Sequence, residues 1–275
     1  NGKKYLVWEK ELKIGSQKRY QKPRGECRPK SNIVFIKTHK CASSSVQNIF
    51  MRYGYNHDKT FVLPAKGNYL GHPSLFRKSL VPAPSAFGGE YNILTHHSRL
   101  DYQQMKSLMP EDTVFVSIVR NPISLFESMF GYYNLEKFYH FKLESIGEKR
   151  KVSSKLWKTR AYGKLGVNQM LFDFGIDSTH LTIDRVKYVS EQIKRIDSMF
   201  DLIMVAEYMD ESLVLLKDLL CWETDDVVAL KCVTKKYLFS LLRCMPQELD
   251  ASENIKQPCH HIADELRMRH IYEVK

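Results

Sequence analysis

The sequence is poor in the features that would place it quickly. Its 275 residues contain no apolar run of about 18, the length a membrane-spanning helix needs. No apolar stretch follows Asn1-Gly2-Lys3-Lys4, so the opening residues do not read as a signal peptide. The chain starts on Asn1 and not on Met, which leaves room for an N-terminal anchor outside it. Six cysteines (Cys27, Cys41, Cys221, Cys232, Cys244 and Cys259) form no C-x-x-C pair, and no Cys/His spacing matches a zinc site. Cys259-His260-His261 is a cluster only on paper, because adjacent side chains rarely converge on one ion. No metal is expected. No Asn-x-Ser/Thr sequon occurs, and no internal repeat. An even cysteine count permits disulfides in an oxidising lumen without requiring them.

What is present is a globular composition, with 43% hydrophobic and 12% aromatic residues. The net charge is +11, with denser basic stretches at Lys13–Lys30 and Lys149–Lys164. A basic surface and a polyanionic partner account for it equally well. Charge therefore does not choose among nucleic acid, anionic glycan and a polyanionic cofactor. No RNA-recognition, zinc-finger or helix-turn-helix signature appears, and no nucleic-acid partner is expected.

Residues 1–31 are polar and basic, broken by Gly15, Pro23, Gly25 and Pro29, and read as a stem or N-terminal arm. A single domain is expected over 32–275. It opens on Ile33-Val34-Phe35-Ile36, a short apolar run that suits a buried parallel strand. Val46, Ile49, Phe50 and Tyr53 then recur at helical spacing, placing a helix start near Ser43–Ser45. Residues 60–90, dense in Gly and Pro, read as a long irregular insertion. Tyr91–Thr95, Thr113–Val119 and Leu202–Val205 are further strand candidates. Tyr102–Leu108, a segment from Asn121-Pro122 onward, Val167–Phe174 closed by Gly175, Val186–Ile196 and Ser212–Leu220 read as helices, and the remainder as helical. Strands alternating with helices imply an α/β fold, a parallel sheet flanked by helices on both faces.

The loop after the first strand is Lys37-Thr38-His39-Lys40-Cys41-Ala42-Ser43-Ser44-Ser45. A strand-to-helix turn exposes backbone N–H groups at a positive dipole end, where an anion sits well. Small residues allow close approach, and three serines and Lys40 add donors. The loop has no glycine and no Gly-Lys-Ser/Thr order, which disfavours a nucleotide kinase or NTPase. A serine-rich helix cap that binds nothing fits this stretch as well as a phosphate cradle does. A second element, Val119-Arg120-Asn121-Pro122, ends the clearest strand. It puts Arg120 at the carboxyl edge of the sheet, with Ser128 about two helical turns further on. A forked Arg suits a phosphate, although an Arg capping a sheet edge would need none.

Together the two elements resemble the PAPS-dependent sulfotransferases (PAPS is 3′-phosphoadenylyl sulfate). They resemble most closely the Golgi galactose 3-O-sulfotransferase family, which includes cerebroside sulfotransferase. The resemblance is carried by Phe35–Ser45, Asn92-Ile93-Leu94-Thr95-His96-His97, Met109–Thr113 running into Ser117–Pro122, Leu125–Ser128 and Ala206–Leu216. It covers roughly residues 32–230. It implies a P-loop-like sulfotransferase fold, with Lys40, Cys41, Ala42, Ser43, Ser44 and Ser45 around the 5′-phosphosulfate and Arg120 and Ser128 around the 3′-phosphate. His96 or His97 would be the base near the acceptor, and strand alternation lets only one of them face the cofactor. Cys41 stands where the family commonly has Thr. The resemblance further implies PAPS as cofactor and PAP as product, no metal, and a Golgi lumenal type II membrane protein in full length. The acceptor would be a glycan or glycolipid hydroxyl, with O-3 of galactose as the expectation. A small non-carbohydrate alcohol, or a non-catalytic basic domain that grips anionic glycan, are the competing readings.

Overall fold

The computed structural model describes residues 27–140, 142–143, 163–166, 168–177 and 185–229. Most of the basic arm, the charged segment around 144–160, the C-terminal helical reading and Cys232, Cys244 and Cys259 lie outside the described residues. The chain divides into two units, Asn1–Leu230 and Lys231–Lys275, and every described residue belongs to the first.

Five strands form one parallel sheet: β1 (Ile33–Ile36), β2 (Phe61–Val62), β3 (Ile93–Leu94), β4 (Val114–Val119) and β5 (Leu202–Val205). Their order across the sheet is β2-β3-β1-β4-β5, and every pairing is parallel. β1 is buried along its whole length, as its unbroken apolar run requires in a sheet covered on both faces. Four of the strands match apolar runs in the sequence. β2 lies inside the segment read as irregular, because two residues are too few to show a period.

The helices are α1 (Ser43–Asn56), α2 (Tyr102–Lys106), α3 (Pro122–Tyr132), α4 (Leu135–Tyr139), α5 (Gln169–Asp173), α6 (Val186–Met199), α7 (Met209–Leu220) and α8 (Thr224–Val227). α3 begins as expected: Pro122 takes an early position, and the Asn121 side chain accepts from the N–H groups of Ile123 and Ser124. The two faces of the sheet carry separate apolar clusters. Phe35, Val46, Ile49, Phe50, Met129 and Leu216 pack in one, and Val34, Ile36, Leu70, Phe76, Leu94 and Met105 in the other. Burying each such side chain contributes about 1.5–3 kcal/mol, so the sheet is the stable frame of the site.

A disulfide joins Cys27 to Cys221, 194 positions apart. It closes beside two further ties: the Lys30 N–H donates to the Leu220 carbonyl, and Trp222 Nε1 donates to the Lys30 carbonyl. At the other end of the sheet, Gly175 follows α5 with φ +83°, and a Cβ there would lie 2.2 Å from the Leu100 carbonyl oxygen. Only glycine fits so close an approach in that conformation, and it lets α5 lie against the residues that extend β3.

The topology gathers the chemistry. β1 lies between β3 and β4, so the chain leaves β1 toward one side of the sheet and later returns on the other. Ligands of open parallel sheets bind at such a switch point, beyond the carboxyl ends of the strands. The residues that emerge there are Lys37–Ser45 after β1, His96 and His97 after β3, and Arg120 after β4.

Candidate functional site

The loop after β1 reaches a phosphate-loop shape without glycine. Lys40 and Ala42 both adopt left-handed backbone, at φ 58° and 57°. Such a conformation costs a non-glycine residue roughly 1–2 kcal/mol, and strained residues concentrate where a loop serves a ligand. Alternating left-handed and ordinary residues turn successive N–H groups to one side, a concave anion-binding arrangement. Among the described residues, none accepts from the backbone N–H groups of Cys41, Ala42, Ser43 or Ser44. Ala42 caps α1 with no side-chain hydrogen bond, leaving the helix terminus open.

The side chains of the loop divide between inside and outside. The Ser43 hydroxyl turns inward and donates to the Thr38 carbonyl, and Thr38 Oγ1 donates to the Ile118 carbonyl, which ties the loop to β4. Ser43 therefore offers a ligand its N–H and not its hydroxyl proton. Ser44 is exposed and Ser45 half-buried. The Lys37 ammonium is buried and donates to Gln47 Oε1 at 2.7 Å. Lys40 is half-buried, its Nζ 3.6 Å from the centre of the Tyr132 ring. Cys41 is buried, and burial pushes its thiol up to about 12; such a thiol is inert.

Arg120 completes the same face. Its Nη1 donates to the Lys40 carbonyl at 3.0 Å, which leaves further guanidinium N–H donors for a ligand. Ser128 lies two turns along α3 and is half-buried.

His97 reaches the loop from β3. Its Nδ1 lies 3.0 Å from the Lys37 carbonyl, which can only accept, so Nδ1 carries the proton and Nε2 holds the lone pair. Its ring lies 4.2 Å from that of His39 at an interplanar angle of 21°, and 5.2 Å from that of Tyr69. Burial, then His39 and Lys37, hold the His97 pKa well below the ordinary histidine value. His96 is also lowered, by burial and by Lys37, and its Nδ1 is buried without a partner among the described residues. Both histidines lie just beyond β3, and among the described residues it is His97 that makes the hydrogen bond to the loop.

A buried group under this face was not anticipated from the sequence. Asp173 accepts from the His39 backbone N–H at 2.9 Å, pairs with His39 Nδ1 at 3.0 Å and accepts from Gln169 Nε2 at 2.8 Å. His72 Nε2 lies 3.7 Å from it. Burial alone would raise the Asp173 carboxyl, but the attraction of His39 and the hydrogen bonds from its ring and backbone, with His72 close by, outweigh this and hold it far below the usual carboxylate range. Gln169 and Asp173 are four apart and share one face of α5, which the sequence could have shown. Nothing in the sequence pairs Asp173 with His39, 134 positions away. His39, His72 and Asp173 hold three potential ligand atoms within 4.8 Å of one another. However, the Gly166 N–H fixes Gln169 Oε1, which turns the Gln169 amide N–H donors toward the Asp173 carboxylate. A donor aimed at those atoms favours a hydrogen-bonded network over a metal centre.

Arg99 was also missed. It donates to the carbonyls of Phe172, Pro73 and Ile176 and lies over the Phe172 ring, so one side chain fastens the 60–90 insertion and α5 to the extension of β3.

Comparison with known proteins gives these features a common setting. The galactose-3-O-sulfotransferase family model matches residues 5–252. Galactosylceramide sulfotransferase of Homo sapiens is 39% identical over 215 residues, 75% of this chain and 49% of that protein. Galactose-3-O-sulfotransferase 2 of Sus scrofa is 37% identical over 222 residues, 76% and 53% of the two chains. Galactose-3-O-sulfotransferase 3 of Mus musculus is 32% identical over 228 residues, 79% and 51% of the two. The chain spans about half the length of the curated relatives it matches. With its two anion-facing elements at the switch point of a parallel sheet, the chain belongs to the galactose-3-O-sulfotransferase family.

Proposed function

We propose that this protein transfers a sulfuryl group from PAPS to a hydroxyl, with O-3 of a galactose on a glycan or glycolipid as the acceptor. One observation carries the reading: four successive N–H groups, Cys41 to Ser44, have no acceptor among the described residues, and Arg120 is fastened to the same loop. A doubly phosphorylated ligand matches two separate anion-facing elements better than a single anion does. The residues fit PAPS, with the N–H groups of 41–44, the Ser44 and Ser45 hydroxyls and Lys40 around the 5′-phosphosulfate, and Arg120 and Ser128 around the 3′-phosphate. When bound, PAPS supplies the sulfuryl group and a phosphate leaving group.

The protein's own part is orientation and charge, as in phosphoryl transfer. His97 Nε2 would take the proton of the acceptor hydroxyl. Its neutral, Nδ1-protonated form is the one the Lys37 carbonyl selects. Lys40, helped by Ser44, places positive charge where negative charge accumulates on the departing oxygen. Among the described residues His96 has a buried unpartnered nitrogen and no bond to the loop, and it is assigned no proton-transfer role.

The printed names of relatives, galactosylceramide sulfotransferase among them, support a galactose acceptor. The Cys27–Cys221 disulfide supports an oxidising compartment such as the Golgi lumen. Among the described residues, no helix is long and apolar enough to cross a membrane. The experiment is a calorimetric titration with PAP, followed by transfer of label from PAPS to a panel of galactosides, galactolipids and small alcohols. Stoichiometric PAP binding with transfer to galactose supports the reading. No PAP binding would leave a non-catalytic glycan-binding domain, and transfer confined to small alcohols would move the acceptor class.

A further inference from the structure

We propose that Tyr132 is the platform for the acceptor sugar: its exposed ring stacks on the face of a galactose that carries the C3, C4 and C5 hydrogens, and so both places the sugar and selects it. The inference rests on the reading of the acceptor as a galactose. Tyr132 closes α3, four positions and about one turn beyond Ser128, so the two lie on one face of that helix. Its ring centre lies 3.6 Å from Lys40 Nζ, which holds it against the loop after β1. Yet Tyr132 is 54% exposed. An ammonium covers one face of a ring at most, and much of the remaining surface is open. A large aromatic left open beside a cationic loop suits a ligand that brings apolar area with it.

Two further tyrosines carry that surface toward His97. Tyr133 stands nearly perpendicular to Tyr132, at 83° with ring centres 4.8 Å apart. Its hydroxyl is pushed up by burial first, and then by Tyr69 and Tyr132, so the three phenols are neighbours. Tyr69 belongs to the 60–90 insertion and is fastened to His97. The Leu70 N–H donates to the His97 carbonyl, the His97 N–H donates to the Asn68 carbonyl, and the two rings lie 5.2 Å apart. The tyrosines thus run from Lys40 to His97, and an acceptor whose hydroxyl reaches His97 Nε2 lies along them. Galactose matches such a surface. Its axial O-4 leaves the C3, C4 and C5 hydrogens on one face, a continuous apolar patch; in glucose the C4 hydrogen points to the other face and the patch is broken. Contacts between C–H groups and a ring are individually small and add up over a patch of this kind. O-3 is equatorial and projects from the edge of the sugar, so stacking leaves it able to reach His97.

Tyr132→Leu and Tyr132→Phe test this, with methyl β-galactoside and methyl β-glucoside as acceptors at saturating PAPS. Tyr132→Leu should raise the galactoside KM about 10-fold and lower the preference for galactoside over glucoside in kcat/KM by about as much, with a PAP dissociation constant within about threefold of the parent. Tyr132→Phe keeps the ring and should restore both. Loss of the ring also removes a support of Lys40, so kcat falls in Tyr132→Leu on either view. The acceptor KM and the epimer preference are the readouts that a mere prop for Lys40 would not move. Parent values of both in Tyr132→Leu would overturn the proposal.

If Tyr132→Leu does not fold, saturation-transfer NMR of the parent protein with PAP bound decides. With the aromatic protons irradiated and methyl β-galactoside observed, strongest transfer to H3, H4 and H5 supports the inference. Transfer spread evenly over the sugar, or strongest at its anomeric end, overturns it. The two layers separate. A parent protein that binds PAP but neither binds nor sulfates a galactoside removes the galactose reading, and the inference with it. A parent protein that sulfates the galactoside while transfer falls elsewhere on the sugar defeats the inference alone.

Discussion

Arg120 Nη1 donates to the Lys40 carbonyl at 3.0 Å, so the residue that ends β4 grips the left-handed turn that follows β1. The two anion-facing elements are thus one mechanical unit. Replacing Arg120 should therefore act twice. Arg120→Ala should raise the PAP dissociation constant about 10- to 100-fold, since bonds to a charged group contribute about 1.5–3 kcal/mol. Arg120→Lys, which keeps the charge without the fork, should fall between. Calorimetry checks both, and parent affinity in Arg120→Ala would remove Arg120 from the site.

Lys40 should matter to the reaction more than to binding. Its ammonium leans on an exposed tyrosine face and not into the core, from where it can follow charge that develops during transfer. Lys40→Ala should lower kcat by about 100- to 1000-fold, with a smaller change in PAP affinity. Steady-state kinetics paired with titration separates the two effects; an equal loss in both would make Lys40 a binding residue only.

His97 and His96 should differ. His97→Ala should lower turnover by roughly 10²- to 10⁴-fold, and His96→Ala by a few-fold at most. The pH profile carries the sign. Burial, His39 and Lys37 lower the His97 pKa, so the acid limb should lie below the ordinary histidine value of about 6.5. A limb above that value would be incompatible with the environment described.

The Cys27–Cys221 bridge closes a loop across most of the first unit. Cys27→Ser should lower stability by about 2–5 kcal/mol, read as a lower denaturant midpoint, and reductant should shift the parent protein the same way. Cys41 is the free cysteine among the described residues, and it is buried. Because burial holds its thiol protonated, alkylation of Cys41 at neutral pH should require unfolding.

Much of the frame was legible in the chain because it rests on local signals. The apolar run Ile33–Ile36, the Asn121-Pro122 helix start and Gly175 after α5 each state their structure within a few residues. β2 was missed because Phe61–Val62 owes its strand state to pairing with β3, and not to any pattern of its own. Residue type leaves the loop a phosphate cradle or a bare serine cap with equal weight, and its left-handed turns at Lys40 and Ala42 are not visible in it, since neither residue favours that conformation.

The same division runs through the site. The sequence by itself determined the residue types and their order: a Lys- and Ser-bearing loop after the first strand, an Arg after a later one and a His pair between them. It also determined the parallel α/β class, because hydrophobic period and turn residues act over short distances. Only the tertiary structure decided which of these residues meet. It turned the Ser43 hydroxyl inward, tied Lys37 to Gln47, gave His97 and not His96 the bond to the loop, and set Asp173 under His39 from 134 positions away. The strand order brings three chain segments to one sheet edge, and a buried carboxylate must find its partners in space, where sequence distance carries no information.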